Sequence, residues 1–412
     1  MHIDLNSCFA SVAQQANPLL RGKPLVIAAY DSPRGCIVSP SIEAKQHGIG
    51  VGMRVMEARL LCPQIIVRTP DPPMIRDVHI KFRRLFSEYA LHVTPKSIDE
   101  AVLDFTDMEI VMKRELTDIA AEIKRRVKSE IGEWIRCSVG IGPNRFLAKT
   151  AASLQKPDGL VVIDHTNVRD VYSHLRLVDL CGINRRFEAR LNIHGIFSPL
   201  QFVDAPLQLL QKEVFQSING YYWYLRLRGW EMDAIDFERK SYGQQYSLQH
   251  ATNNPQELSA IIMKLCEKMG RRLRSAGKVA NGIHVSSIYT DGSHWHIGRM
   301  MNEAMYSTVE LYKKAQYLFN LQPTKKVIAK LSVSCYDLAE STKSQLSLFD
   351  TPEKLAHEKQ QKIADVADAI NDKYGELVLT PAVMMGIADK VIDRISFGNV
   401  KELEDLYAFP SF

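Results

Sequence analysis

Over residues 1–165, short apolar strands alternate with helical stretches, and this alternation constrains the fold more than any other feature of the chain. Residues 2–4 read as a strand running into a helix start at Asn6-Ser7-Cys8-Phe9-Ala10-Ser11-Val12, with Asn6 or Ser7 as its cap. Residues 24–29 form a second strand, and 41–47 a helix stopped by Gly48. Val78, Phe82, Leu85 and Phe86 recur at helical spacing and predict an amphipathic helix over 77–91. Residues 97–105 alternate like a strand with acids at its mouth. Helices follow at 114–130 and 144–154, with strands at 137–142 and 160–163 and a Lys156-Pro157-Asp158-Gly159 turn before the last. These pieces predict one α/β core. Residues 166–232 read as helical and 236–241 as a charged linker; 243–340 read as an α+β domain with a basic helix at 256–275 and a late strand at 327–336.

The chain has 412 residues, 46% hydrophobic and 24% charged, which excludes wholesale disorder and is long enough for two to four domains. Its net charge of +5 is uneven: residues 351–412 hold 7 Lys/Arg against 11 Asp/Glu, whereas 243–344 hold 13 against 7. A basic block beside an acidic tail points to a polyanionic partner. The seven cysteines have no CxxC pair or zinc-ribbon spacing, so reduced and mostly buried thiols in a cytosolic protein are expected. No long uncharged apolar stretch and no signal-peptide layout occurs, so neither secretion nor membrane spanning is expected.

Acidic residues carry the chemistry. Asp4 ends one buried strand, and Asp99-Glu100 stand at the mouth of another. A carboxylate at a strand end faces water or a ligand, because burial without a partner is costly. Three converging carboxylates repel one another unless a divalent cation sits between them, and their oxygens are the ligands Mg²⁺ takes together with substrate phosphates. Two such ions clamp the attacking and leaving oxygens of an in-line phosphoryl displacement. Taken alone, the same acids also fit a helix cap and a surface turn.

Set in order, Ile3-Asp4-Leu5-Asn6-Ser7-Cys8-Phe9-Ala10, Ser97-Ile98-Asp99-Glu100-Ala101, Ser138-Val139-Gly140-Ile141, Leu147-Ala148-Lys149 and Lys156-Pro157-Asp158-Gly159 resemble the Y-family translesion DNA polymerases, nearest their bacterial polymerase IV group. The resemblance runs from residue 2 to about 350. It implies a multidomain α/β and α+β right hand. A palm of mixed sheet and helices falls at 1–10 and 73–165, with small fingers at 11–72. A helical thumb falls at 166–232, a linker at 233–242 and an α+β little finger at 243–340. It further implies that Asp4, Asp99 and Glu100 are catalytic and, with the Leu5 carbonyl, hold two Mg²⁺ ions, Mn²⁺ being an alternative. Phe9 falls at the steric gate that excludes a 2′-hydroxyl, while Ser39, Lys45 and Lys156 fall at positions contacting the incoming dNTP. The chain departs from the pattern where Ile42 replaces a phosphate-binding Tyr, where Ser7-Cys8 replaces bulkier aromatics, and where Lys45 stands for a bidentate Arg.

Leu180-Cys181-Gly182-Ile183-Asn184 followed by His194-Gly195-Ile196 resembles a helix-hairpin-helix, whose backbone N–H groups bind a DNA phosphate. Asn184 takes a position usually held by Gly and tolerates a positive φ, so the turn can survive, and the resemblance implies that Gly182 and Asn184 contact DNA. Arg271, Arg272, Arg274, Lys325 and Lys326 are expected to meet phosphates of primer-template DNA. Gln345-Leu346-Ser347-Leu348-Phe349 resembles the peptide with which bacterial polymerases bind the β sliding clamp, Gln345, Leu346, Leu348 and Phe349 being its contacts. The acidic 351–412 extension carries Ile363, Val366, Ala367 and Ile370 on one helical face ended by Tyr374-Gly375, docked on the body or against a partner. The resemblance thus implies a low-fidelity, template-directed polymerase, monomeric, cytoplasmic and nucleoid-associated, with no membrane partner. A clamp-tethered DNA-binding protein without catalysis and a palm-type nucleotidyl cyclase are the competing readings.

Overall fold

A computed structural model describes residues 1–106, 108, 114–233, 239–323, 325–341, 352–375 and 378–385, and the chain divides into a unit from Met1 to Asp236 and one from Phe237 to Asp393. The first unit begins with strand β1 (His2–Leu5), helix α1 (Cys8–Ala16), β2 (Leu25–Ala28), β3 (Ile37–Pro40), α2 (Ile42–Gln46), α3 (Val55–Leu61) and β4 (Ile66–Arg68). It continues with α4 (Pro72–Ser87), β5 (His92–Pro95), β6 (Glu100–Asp104), α5 (Leu116–Arg126), β7 (Cys137–Ile141), α6 (Arg145–Leu154) and β8 (Leu160–Val162). Four short helices close it: α7 (Val168–Ser173), α8 (Arg185–Ile193), α9 (Pro199–Asp204) and α10 (Asn219–Arg226).

The α/β core that periodicity reads over 1–165 holds two sheets. A five-stranded sheet runs β5-β6-β1-β7-β8, and a three-stranded sheet runs β3-β2-β4. The smaller sheet buries its own cluster of Val26, Ala28, Ile37, Ala44, Ile49, Val55 and Ala58. Strand periodicity marks each strand but not its neighbour, so the partition was invisible locally. In the larger sheet β1 is central and antiparallel to both β6 and β7. Ile3, Leu5, Phe82, Phe86, Leu103, Ile119 and Val139 fill the core beneath it.

Helix starts follow their caps. α4 begins earlier than its apolar spacing suggests, because the Asp71 side chain accepts the Met74 N–H and prolines occupy the first turn. At α1 the cap expectation fails in both forms. Ser7 occupies the cap position at φ 50 with no side-chain cap bond, and the Asn6 side chain is engaged elsewhere. α6 is capped by Asn144, which accepts the Leu147 N–H at 2.7 Å and donates to the carbonyls of Arg226 and Trp230, both at 2.9 Å. α6 crosses β7 so closely that a Cβ on Gly140 would stand 2.1 Å from the Ala148 carbonyl oxygen. That contact gives the Ser-Val-Gly-Ile run its glycine.

The second unit contains β9 (Ser241–Thr252), α11 (Pro255–Ser275), β10 (Lys278–Tyr289), β11 (His294–Met305), α12 (Thr308–Phe319), β12 (Ile328–Glu340) and α13 (Pro352–Tyr374). Its antiparallel sheet runs β11-β10-β12-β9. Ile283, Val285, Leu331 and Val333 pack against Ile262, Leu265, Met269 and Leu311 of α11 and α12. The acidic extension docks on this same helical layer by a face rotated from the expected one, Ala367 and Ile370 being half-buried. Ala364 and Asn371 are buried, whereas Ile363 and Val366 are each 59% exposed. Asp368 reaches Arg274, Asp372 reaches Arg271, and Asp365 accepts from the Tyr306 hydroxyl. Asn371 holds the backbone of Leu379, and Met384 is fully buried in the cluster formed with α11. Of the seven free cysteines, Cys36 and Cys181 are exposed and the rest buried. No helix among the described residues is long and apolar enough to cross a membrane.

Candidate active site

The β1–β6 register sets Asp4 directly opposite Glu100, while Asp4 faces Ser138 of β7 on the other side. Adjacent strands thereby bring two carboxylates from distant sequence to one sheet position. The Leu5 N–H donates to the Asp99 carbonyl at 2.9 Å, tying the two acidic segments together beyond the strand pairing. Ligating atoms of His2, Asp4 and Glu100 all lie within 4.8 Å of one another. Asp99 stands outside that trio and accepts the Ser97 hydroxyl at 2.6 Å, yet it feels the charge of both neighbouring acids.

Two lysines neutralise the cluster. Lys156 donates to Asp4 at 2.7 Å and Lys149 to Glu100 at 2.7 Å. Burial pushes the Asp4 carboxyl above its ordinary range, and the Lys156 ammonium offsets only part of that. Burial also acts on Glu100, but the Lys149 hydrogen bond and charge outweigh it and hold Glu100 below the usual range. Asp99 is pushed up to about 6 by burial, then by the charges of Asp4 and Glu100, against the Ser97 hydrogen bond. Oxygen donors gathered at one point, each now held by an ammonium, are the donor set a hard divalent cation takes, so the residues fit such an ion.

The raised Asp99 value has a pH consequence. Below about 6 Asp99 is protonated and offers a cation no charge; above it the carboxylate is fully available. Divalent-ion affinity of the protein is expected to fall about tenfold per pH unit below that value and to level off above it. Calorimetric titration across that range checks this, and a flat affinity would remove Asp99 from the site.

Sequence reading missed His2, whose signal was the two-residue strand alternation that puts it on the face of Asp4. Burial lowers its pKa to about 4, so the ring is neutral. Asn6 was taken only as a cap. Its amide donates to Ser138 Oγ at 3.0 Å and accepts the Asp158 N–H at 2.7 Å, pinning the turn that carries Lys156.

The other expected residues are placed unevenly. Lys45 lies close enough that, after burial, Lys156 depresses its pKa and Asp4 raises it. Ser39 is buried and accepts the Ala10 N–H at 3.4 Å. Phe9 is 2% exposed and packs in the core beneath β1. Gly182 adopts φ 96, but Asn184 sits at φ −95 and caps α8 by accepting the Arg186 and Phe187 N–H groups. The positive φ anticipated for Asn184 is therefore not needed; its side chain closes a helix start instead.

In the second unit, Arg272 donates to the Gly243 carbonyl at 2.9 Å and packs over the Tyr242 ring. Arg271 pairs with Asp372 at 2.5 Å. The Arg274 side chain is 3% exposed and forks onto Asp368 at 2.6 and 2.9 Å, so its expected phosphate contact is corrected to an internal ion pair. Lys326 pairs with Asp291 at 2.8 Å and Lys325 is exposed. Gln345, Leu346, Leu348 and Phe349 lie outside the described residues.

Comparison with known proteins matches residues 3–153 to the impB/mucB/samB family and 239–348 to the C-terminal domain of that family. DNA polymerase IV of Pelotomaculum thermopropionicum is 33% identical over 400 residues, covering 95% of this chain and 96% of that protein. DNA polymerase IV of Moorella thermoacetica is 32% identical, covering 93% and 95%. A solved Y-family DNA polymerase chimera of Dbh and Dpo4 aligns with a TM-score of 0.73 at 24% identity, over 82% of this chain and 98% of that one. At that identity the last likeness concerns the fold.

Proposed function

The chain belongs to the impB/mucB/samB family, the Y-family DNA polymerases, and from that premise we propose that it performs low-fidelity translesion DNA synthesis, adding dNTPs to a primer 3′-hydroxyl on a DNA template. The observation that carries the reading is the convergence of Asp4 and Glu100 across the β1–β6 ladder, each carboxylate already holding an ammonium. A non-catalytic DNA-binding protein has no use for such a cluster beneath a pinned Lys-Pro-Asp-Gly turn.

The family depends on divalent metal, and here Mg²⁺ is the proposed ion, with Asp4, Asp99, Glu100 and the Leu5 carbonyl as its ligands. Bound there, it supplies charge stabilisation to the transferring phosphoryl group. The residues contribute positioning. Glu100 is kept ionised by Lys149, so its carboxylate faces the site as an acceptor. Lys156 and Lys45 lie near enough for each to feel the other's charge and together form the proposed cationic seat for the triphosphate, Ser39 standing beside α1. Asn6 keeps the Lys156 turn in register with β1. Gly182, Asn184, Lys325 and Lys326 are the proposed phosphate contacts, and the peptide at 345–349 the proposed tether to a β clamp.

Primer extension past an abasic site, with Mg²⁺ and dNTPs, tests the reading. Extension of plain and abasic templates is expected; failure on both with duplex binding intact would move the protein to the non-catalytic class. Phe9 is proposed as the gate against ribonucleotides. Phe9→Leu, which keeps the core filled, is expected to lower dNTP-over-rNTP discrimination in kcat/KM by about 100-fold. An unchanged ratio would return Phe9 to a packing role.

A further inference from the structure

The sheet of the second unit carries a pair of histidines on its face opposite α11 and α12. The β10–β11 register pairs His284 with Gly298 and Ser286 with His296, so His284 and His296 are diagonal neighbours on one face of two hydrogen-bonded strands. His284 Nε2 lies 3.3 Å from His296 Nδ1, with ring centroids 5.4 Å apart. The cross-strand glycine shapes this approach. A Cβ on Gly298 would stand 3.2 Å from His284 Cδ2 and 3.4 Å from the Tyr336 hydroxyl, so the bare backbone leaves the imidazole its place across β11.

Two imidazole nitrogens bound at about 2.0–2.1 Å to one tetrahedral ion stand about 3.3 Å apart. The observed separation equals that bite. We propose that His284 and His296 form a binding site for a divalent transition cation of the Zn²⁺, Ni²⁺ or Cu²⁺ class, separate in kind from the carboxylate site of the first unit. Nitrogen donors without carboxylate select that class over Mg²⁺, which takes oxygen. His294 is stacked on His296 with centroids 6.2 Å apart and planes 9° apart, and it brings no third nitrogen to the pair. Water completes the coordination shell. Both ligands sit on strands of a continuous ladder, so binding requires no backbone ordering.

The test is calorimetric titration of the full chain with Ni²⁺ at neutral pH, in excess Mg²⁺ to occupy the carboxylate site. Wild type is expected to bind one equivalent that His284→Ala and His296→Ala each weaken by about tenfold or more. His294→Ala is expected to bind as wild type, and imidazole ¹⁵N resonances of His284 and His296 are expected to shift on metal addition. His284→Asn and His296→Asn repeat the test with side-chain volume kept, and unchanged thermal melts exclude unfolding. Titrations of the His284 and His296 variants that superimpose on wild type would show a hydrogen bond between imidazoles only. Loss confined to His294→Ala would equally overturn the assignment. The outcome is independent of whether the chain polymerises DNA.

Discussion

Asp99→Ala is expected to reduce primer extension by at least about a thousandfold, near 4 kcal/mol of transition-state stabilisation, while leaving duplex binding within about twofold. The carboxylate sits beside Asp4 and Glu100, whose charges help lift its pKa to about 6, so it shares their field without joining their tight trio. Removing it takes away a proposed ligand that balances divalent charge, at the cost of the hydrogen bond it accepts from the Ser97 hydroxyl. Asp4→Ala should lose a comparable factor. Single-turnover extension on a plain template separates this from weaker DNA binding. Residual activity within about tenfold of wild type for both variants would mean that the chemistry is organised elsewhere.

The second large effect is on stability. Arg274→Met is expected to destabilise the second unit by about 3–5 kcal/mol, because it leaves Asp368 beside a buried helix layer without its two-pronged partner and with only Arg271, 4.0 Å away, in its place. Arg274 also donates to the Tyr306 carbonyl and Thr308 Oγ1, both at 3.2 Å, so the guanidinium joins α11, α12 and α13 at one point. Arg274→Met with Asp368→Leu should recover most of the loss, since removing both charges leaves no unpaired group to solvate. Urea unfolding of the three proteins decides it, and a single-variant loss below about 1 kcal/mol would mean that the acidic helix is only loosely applied. The salt dependence of DNA binding should be unchanged in Arg274→Met, because this side chain neutralises an aspartate rather than a phosphate.

Much of the candidate site was legible because its signals are local. An acid closing an apolar strand, an alternating strand with acids at its mouth, and a Pro-Asp-Gly turn are written within a few residues, and so were the helices ended by Gly48 and Gly375. Family resemblance then supplied their order. His2 was passed over because a histidine beside a strand-ending acid is ordinary until the strand's neighbours are known, and Lys149 appeared only as part of a motif.

By itself the sequence determined the segments whose signal is local, such as β1, α4, β6, β7, α6 and α11, and which acids and lysines were available to a site. Periodicity and capping act over a turn or two and hold where tertiary contacts do not claim the same side chains, as they do at Asn6. Tertiary structure alone decided the pairing: Asp4 against Glu100, Lys156 on Asp4, Arg274 on Asp368 and His284 against His296. It also rotated the buried face of α13, leaving Ile363 and Val366 outward, Ala367 and Ile370 half-buried, and seating Ala364, Asp368 and Asn371. The cause is that a charged residue is solvated in the unfolded chain, and only a partner brought from afar makes its burial favourable. Apolar spacing identifies a face that can be buried; ion pairs and packed neighbours choose the face that is.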